Sequence, residues 1–232
     1  MKCKVAAIDG SGQGVCIQGD LPEIGPGEVL VRVKASLISP GTELGRVLAM
    51  RKHPNTNNEP RPFGYANSGV IERVGAEVEQ FAVGQGVACM GGGYALHADW
   101  VNMPQNMCVA IPEGLGFAEA AAVHLAATGL HAVRRTAPVF GENGVVVGLG
   151  LVGQFAAQFA QLSGCHIQGV DHFALRQNIA REIGIESVVD AKKDDPIEQA
   201  AIFSADYGMD FGIVAFGGEA TAAFEKIYQS LK

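Results

Sequence analysis

The sequence predicts an α/β chain in two parts, a β-rich front half and a doubly wound parallel sheet behind it. Three observations carry that prediction. Before about residue 120, short β-type runs are separated by glycine and proline turns. After it, strand-sized and helix-sized segments alternate. Between a run of valines and a helix-forming stretch lies Gly148-Leu149-Gly150-Leu151-Val152-Gly153.

In the front half the runs are EVLVRVK at 28–34, GVIERV at 69–74, and the segments 86–90 and 100–103. Gly25-Pro26-Gly27, Ser39-Pro40-Gly41 and Val83-Gly84-Gln85-Gly86 mark turns, because glycine reaches positive φ and proline presets φ for a bend. Strands this short, at this spacing, predict a small β-barrel or sandwich. Residues 52–62, KHPNTNNEPRP, predict an exposed loop or lid. The back half predicts an alanine-rich helix over 119–136, a strand at 145–149, a helix from Leu151 and a strand at 166–170. A helix near 173–183, a brief strand at 187–190, a helix opened by Asp195-Pro196, a strand at 211–216 and a final helix from Glu219 follow. The expected division is residues 1–122 and 123–232.

Composition excludes several classes. At 232 residues, with 48 % hydrophobic and 18 % charged residues, the chain has the make-up of an ordinary folded protein. A net charge of −7 with no clustered Lys/Arg stripe argues against a nucleic-acid surface. Every apolar run is interrupted before it reaches membrane-spanning length, and the first residues lack a signal-peptide core. Five widely spaced cysteines, an odd number, predict reduced thiols and a cytoplasmic protein.

The segment 145–171, VVVGLGLVGQFAAQFAQLSGCHIQGVD, has the strand, glycine turn, helix, strand and acid of a dinucleotide-binding βαβ unit. Gly148 permits the tight turn, Gly150 admits a pyrophosphate close to the backbone, and Gly153 lets the helix pack against the sheet. Leu151 and Val152 open the helix, whose unpaired N–H groups and dipole favour an anion. Asp171 would accept from both hydroxyls of the adenosine ribose and repel a 2′-phosphate, which predicts NAD rather than NADP. Arg176 either lies on the adenosine side or is a solvated helix residue. With 31 glycines, the spacing alone would arise by chance about half a time in such a chain, so the flanking strand, helix and acid carry the weight.

With both halves in view, the chain resembles the medium-chain dehydrogenase/reductase superfamily, which is alcohol dehydrogenase-like. The resemblance rests on EVLVRVKASLISPGTE, PFGYANSGVIERVGAEVEQFAVGQGV and IPEGLGFAEAAAV in front, and on ATGLHAVRR and the glycine segment behind. It implies a GroES-like β-barrel module that holds a small-molecule substrate, followed by a Rossmann domain, with the active site in the cleft between them. It also implies pairing of subunits through sheet edges, so that a homodimer is possible. Only four strands can be counted after residue 144, where a full Rossmann sheet has six, and the fourth would be an apolar edge strand. The expectation is an incomplete Rossmann sheet, from a shortened form or fragment, or an edge covered by another subunit.

Zinc-dependent members of the superfamily carry Cys where this chain has Ser39 or Pro40, and His-Glu where it has Tyr65-Ala66. The third ligand position falls on His124, and residues 86–100 contain Cys89 alone in place of a four-cysteine lobe. Zinc wants three ligands from Cys, His and carboxylate, so no metal is expected. A zinc-free hydride transfer still needs a group to polarise a carbonyl. Tyr65 either donates a hydrogen bond to it or packs under the loop. His124 is either an acid–base group or a core histidine. Ser39 and Thr42 either orient substrate and relay a proton or cap the loop. Thr128 matches a threonine near the nicotinamide in the superfamily, and His97 and His131 are read as surface or packing residues.

The function so predicted is NAD(H)-dependent hydride transfer to or from a small alcohol, carbonyl or conjugated carbonyl. Two rivals remain: a non-enzymatic NAD(H)-binding module or partner subunit, and a methyltransferase. The first would bind NADH without turnover. The second would bind S-adenosylmethionine and not NADH, and the β-rich front half argues against it.

Overall fold

The computed structural model describes residues 2–55, 57, 59–217 and 221–232. It divides into two compact units, residues 1–124 and 125–232.

The first unit holds a three-stranded and a five-stranded sheet. β1 (Lys2–Ile8) pairs antiparallel with β2 (Gly14–Asp20) on one side and with the short β4 (Arg61–Pro62) on the other. β3 (Glu28–Ser36), β5 (Ala66–Val74), β6 (Gly86–Met90), β7 (Trp100–Pro104) and β8 (Cys108–Ala110) form the second sheet, in the order β7-β3-β5-β6-β8. A bridge between Val5 and Ala98 ties the two together. Alternation along the strands turns Val29, Val31, Ile71, Val87, Val101 and Met103 into one core, each at most 3 % exposed. This is the small antiparallel β module that the turn spacing predicts, with two additions. A π-helical turn, Pro40–Leu44, and helix α1 (Gly45–Lys52) follow β3, where the sequence marks only the turn at Ser39-Pro40-Gly41. The lid predicted over 52–62 begins at the end of α1 and closes in β4, with exposed residues at 53–55. Thr56 and Asn58 lie outside the described residues.

The helix predicted over 119–136 is two helices, α2 (Phe117–Ala120) and α3 (Val123–Thr136). Alanines at 120–122 satisfy helix propensity, but the chain leaves the helical track there.

The second unit is a parallel four-stranded sheet, in which β9 (Asn143–Val147), β10 (His166–Asp171), β11 (Ser187–Asp190) and β12 (Phe211–Val214) lie in the order β11-β10-β9-β12. The order reverses at β9, the switch point at which doubly wound sheets place their ligands. Val146, Ile167 and Ile213 point to one face, where α4 (Leu151–Leu162) and α5 (Ala174–Glu182) supply Ala156, Ala160 and Ala180. Val145, Val170 and Val189 point to the other, under Ala200 of α6 (Pro196–Phe203) and Ile227 of α7 (Thr221–Ser230). Both faces are covered, as continuous apolar parallel strands require. The final helix, predicted from Glu219, is seen from Thr221, and Glu219 lies outside the described residues. β9 ends at Val147, so that Gly148 and Leu149, predicted as strand, belong to the turn. All five cysteines are free, and Cys89 and Cys108 face each other across β6 and β8 with their sulfurs 3.8 Å apart. Among the described residues no helix is long and apolar enough to cross a membrane.

Candidate active site

In the second unit the glycine turn is built from backbone. Gly148 sits at φ +95, a conformation that side chains rarely adopt, and its N–H donates to Val170 O at 2.8 Å. A Cβ on Gly153 would lie 1.8 Å from Gly148 O, so the first turn of α4 rests directly on the strand end. A Cβ on Gly150 would meet nothing nearer than Arg176 Cζ at 4.0 Å, and Gly150 caps α4 with no side-chain acceptor. The turn therefore presents an open backbone face at a helix N-terminus, where Leu151 is 42 % exposed and Val152 is half-buried. These features fit a diphosphate.

Asp171, at the end of β10, is aimed at that turn. Its Oδ2 accepts the Leu149 N–H at 2.8 Å and its Oδ1 the Phe173 N–H at 2.8 Å. Arg176 Nη1 lies 3.4 Å from Oδ2, and the guanidinium stacks 4.7 Å from the Phe173 ring centre. Burial alone would raise this carboxyl, but the two N–H donors and the Arg176 charge outweigh it and hold it below the usual carboxylate range. Each oxygen has two lone pairs, so acceptor capacity remains after these bonds. Arg176 is thus neither free in solvent nor wholly committed, since its side chain is 42 % exposed. Gln154, which the sequence reading passes over, donates to Leu149 O at 3.2 Å and to Arg176 O at 2.9 Å and fastens the turn to α5.

In the first unit the structure brings Tyr65 and His124 together, with ring centroids 5.0 Å apart in an edge-on contact. Both are half-buried. Burial lowers the His124 imidazole below its ordinary range, which favours the neutral ring. Ser39 is buried and opens the π-helical turn, but its hydroxyl does not cap it. The capping expectation is corrected: the carboxylate of Glu43 reaches back and accepts the Ser39 N–H at 2.7 Å, which is one half of a capping box. Thr42 is exposed on the same turn, and Thr128 is exposed on α3.

Of the two readings of His97, surface or packing, the structure shows the second, with polar partners that the sequence reading did not anticipate. Its side chain is 7 % exposed, its Nδ1 lies 2.9 Å from Ser36 Oγ and its Nε2 lies 3.1 Å from Glu43 Oε1. The edge of Phe63 packs on the ring, at 4.8 Å between centroids. His131 is exposed, as expected. Glu43, Ser36 and His97 are 54 and 61 residues apart along the chain, and no local motif joins them. The fold does so, through the pairing of β3 with β5 and the π-helical turn that carries Glu43.

At the zinc-ligand positions of the superfamily this chain has only one residue of a type that zinc favours, His124. The other positions hold Ser39 or Pro40 and Tyr65, and among the described residues no group of three His, Cys, Asp or Glu could hold a metal.

Comparison with known proteins comes to the same two parts. Residues 25–133 match the family model described as alcohol dehydrogenase GroES-like domain, and residues 152–232 match that described as zinc-binding dehydrogenase. The chain is 28 % identical over 218 residues to a sorbitol dehydrogenase of Bacillus subtilis, covering 82 % of this chain and 62 % of that protein. An oxidoreductase/dehydrogenase of unknown specificity from Escherichia coli superposes with a TM-score of 0.86 at 20 % identity, covering 100 % of this chain and 75 % of that one. A protein described as a zinc-binding dehydrogenase from Sinorhizobium meliloti, bound to NADP, superposes with a TM-score of 0.85 at 21 % identity, covering 100 % and 74 %.

Proposed function

Because the chain belongs to the medium-chain dehydrogenase/reductase superfamily of alcohol dehydrogenase-like proteins, we propose that it is a nicotinamide-dependent oxidoreductase. In this reading it moves a hydride between NAD(H) and a small alcohol, carbonyl or conjugated carbonyl, without a protein-held zinc. The observation that carries it is the open face at Gly150, set between the strained turn at Gly148 and the tight contact at Gly153, with the Asp171 carboxylate clamped on the same turn.

Bound NAD(H) supplies or accepts the hydride. The rest falls to the chain. The first-turn N–H groups at Leu151 and Val152 receive the diphosphate, and the lone pair that Asp171 has left on Oδ1 accepts a ribose hydroxyl. Its negative charge disfavours a 2′-phosphate there. Arg176 pulls the other way, and the Sinorhizobium neighbour is described as bound to NADP, so the preference for NAD is one of degree. Thr128 positions the nicotinamide end. Tyr65 donates its phenolic hydrogen to the substrate oxygen, and neutral His124 braces the ring. We assign substrate binding to residues 1–122 and the cofactor to 123–232, and five free thiols suit a cytoplasmic protein.

Titration of the whole chain with NADH and NADPH, followed by a panel of alcohols, aldehydes, ketones and enones, tests this. Saturable NADH binding, tighter than NADPH, with turnover of one class is the expected result. Binding without turnover makes the chain a nucleotide-binding module, and no binding of either removes the proposal.

A further inference from the structure

The hydrogen bonds at His97 select one tautomer of the neutral ring. Glu43 is an acceptor when ionised, and its second oxygen already holds the Ser39 N–H, so Nε2 must carry the ring proton that faces Oε1. In the neutral ring of that tautomer Nδ1 is the acceptor, and the hydroxyl 2.9 Å away is its donor. Ser36 is the last residue of β3 and is exposed, whereas His97 and Glu43 are buried. An accessible hydroxyl thus hands its hydrogen to a base that a buried carboxylate orients. The ring has little freedom to turn away. Phe63 packs edge-on against it, and Gly64, at φ +120, lets the chain pass where a Cβ would lie 2.5 Å from His97 N.

We propose that Ser36, His97 and Glu43 form an acyl-transfer site that hydrolyses activated esters of small carboxylic acids, an activity separate from the hydride chemistry proposed above. In the first step a bond forms between Ser36 Oγ and the ester carbonyl carbon, and the hydroxyl proton passes to His97 Nδ1. The ester C–O bond breaks, and the departing alcohol takes that proton. In the second step water adds to the acyl carbon with His97 Nδ1 taking one of its protons, the bond to Oγ breaks, and His97 returns the proton to Ser36. One ester and one water give one alcohol and one carboxylic acid. Glu43 touches no reacting atom and is a positioning residue. This role order, nucleophile to base to orienting group, defines activated-serine chemistry wherever it occurs.

The test uses the full chain and p-nitrophenyl acetate, with an organophosphorus fluoride as a probe of the nucleophile. The expected result is hydrolysis that falls about a hundredfold in Ser36→Ala. A phosphonyl adduct should be found by peptide mass spectrometry on Ser36 and be absent from that variant. Because Ser36 is exposed, this variant keeps the fold. Glu43→Gln should lower kcat about tenfold with the folded fraction held equal by circular dichroism, and Glu43→Asp should restore part of the loss. Hydrolysis equal in the native chain and Ser36→Ala, or an adduct on another residue, overturns the proposal.

Discussion

The turn at 148–153 is made of backbone, and the cluster at the end of β3 is made of side chains. In the turn each glycine is defined by what cannot be added: a conformation at Gly148, an oxygen 1.8 Å from the missing Cβ at Gly153, and open space at Gly150. In the cluster Ser36, Glu43 and His97 are defined by what they touch, as are Tyr65 and His124 in a separate pair. The difference teaches where each site is fragile. One extra methyl can break the turn, whereas the cluster loses chemistry before it loses shape.

The sharpest way to break the comparison is Gly153→Ala. The new methyl meets the carbonyl of Gly148, and a destabilisation of at least about 3 kcal/mol is expected, with loss of NADH binding. A thermal melt and a fluorescence titration read the two effects together. Tyr65→Phe keeps the edge-on contact with His124 and removes only the hydroxyl. Turnover should fall about a hundredfold, close to 2.7 kcal/mol, with the melting temperature unchanged. Asp171→Asn removes the charge and leaves one of the two N–H donors poorly matched, for about 2 kcal/mol of stability and weaker NADH binding. Its preference for NADH over NADPH should shrink as well. Gly150→Ala sharpens the contrast within the turn itself. A methyl in open space should cost only a few tenths of a kcal/mol of stability, yet weaken NADH by about tenfold. Equal destabilisation by Gly150→Ala and Gly153→Ala would contradict the packing described.

The smallest effect is on pH dependence. Burial depresses the His124 pKa in the folded state, so the unfolded chain binds the proton more readily. The neutral ring's contribution is full above the unfolded value near 6.5 and is lost as pH falls through it towards the folded value. Denaturant midpoints at pH 7 and pH 5.5 should therefore differ more in the native chain than in His124→Gln. The Asp171 carboxyl, depressed in its turn, contributes in full above its ordinary value and loses that contribution as pH falls through it towards the folded one.

The backbone site was legible because local chemistry specifies it. Three valines, a glycine turn, a helical apolar spacing and an acid at the next strand end all lie within residues 145–171, and the observed helix Leu151–Leu162 starts at the residue the pattern indicates. The parallel, doubly wound character of the sheet followed from the alternation of strands and helices, whereas the order of its strands did not. The side-chain site was legible only at Tyr65 and His124, and then through resemblance. His97 gave no sign of its burial, since a histidine flanked by Leu96 and Ala98 reads equally well inside or outside. Its partners depend on the pairing of Ser36 with Asn67 and on a π-helical turn that proline and glycine disguise as a loop. The break between α2 and α3 was hidden for a related reason: three successive alanines carry no mark of direction.

One further consequence lies in the position of β9. Parallel partners flank it on both sides, β10 and β12, and it runs without a break into Gly148. Amides locked between two neighbours exchange with deuterium last, when the whole sheet opens, rather than by local fraying. A ligand arriving at the turn thus meets a surface already frozen in place, and capture demands little loss of chain entropy at that point.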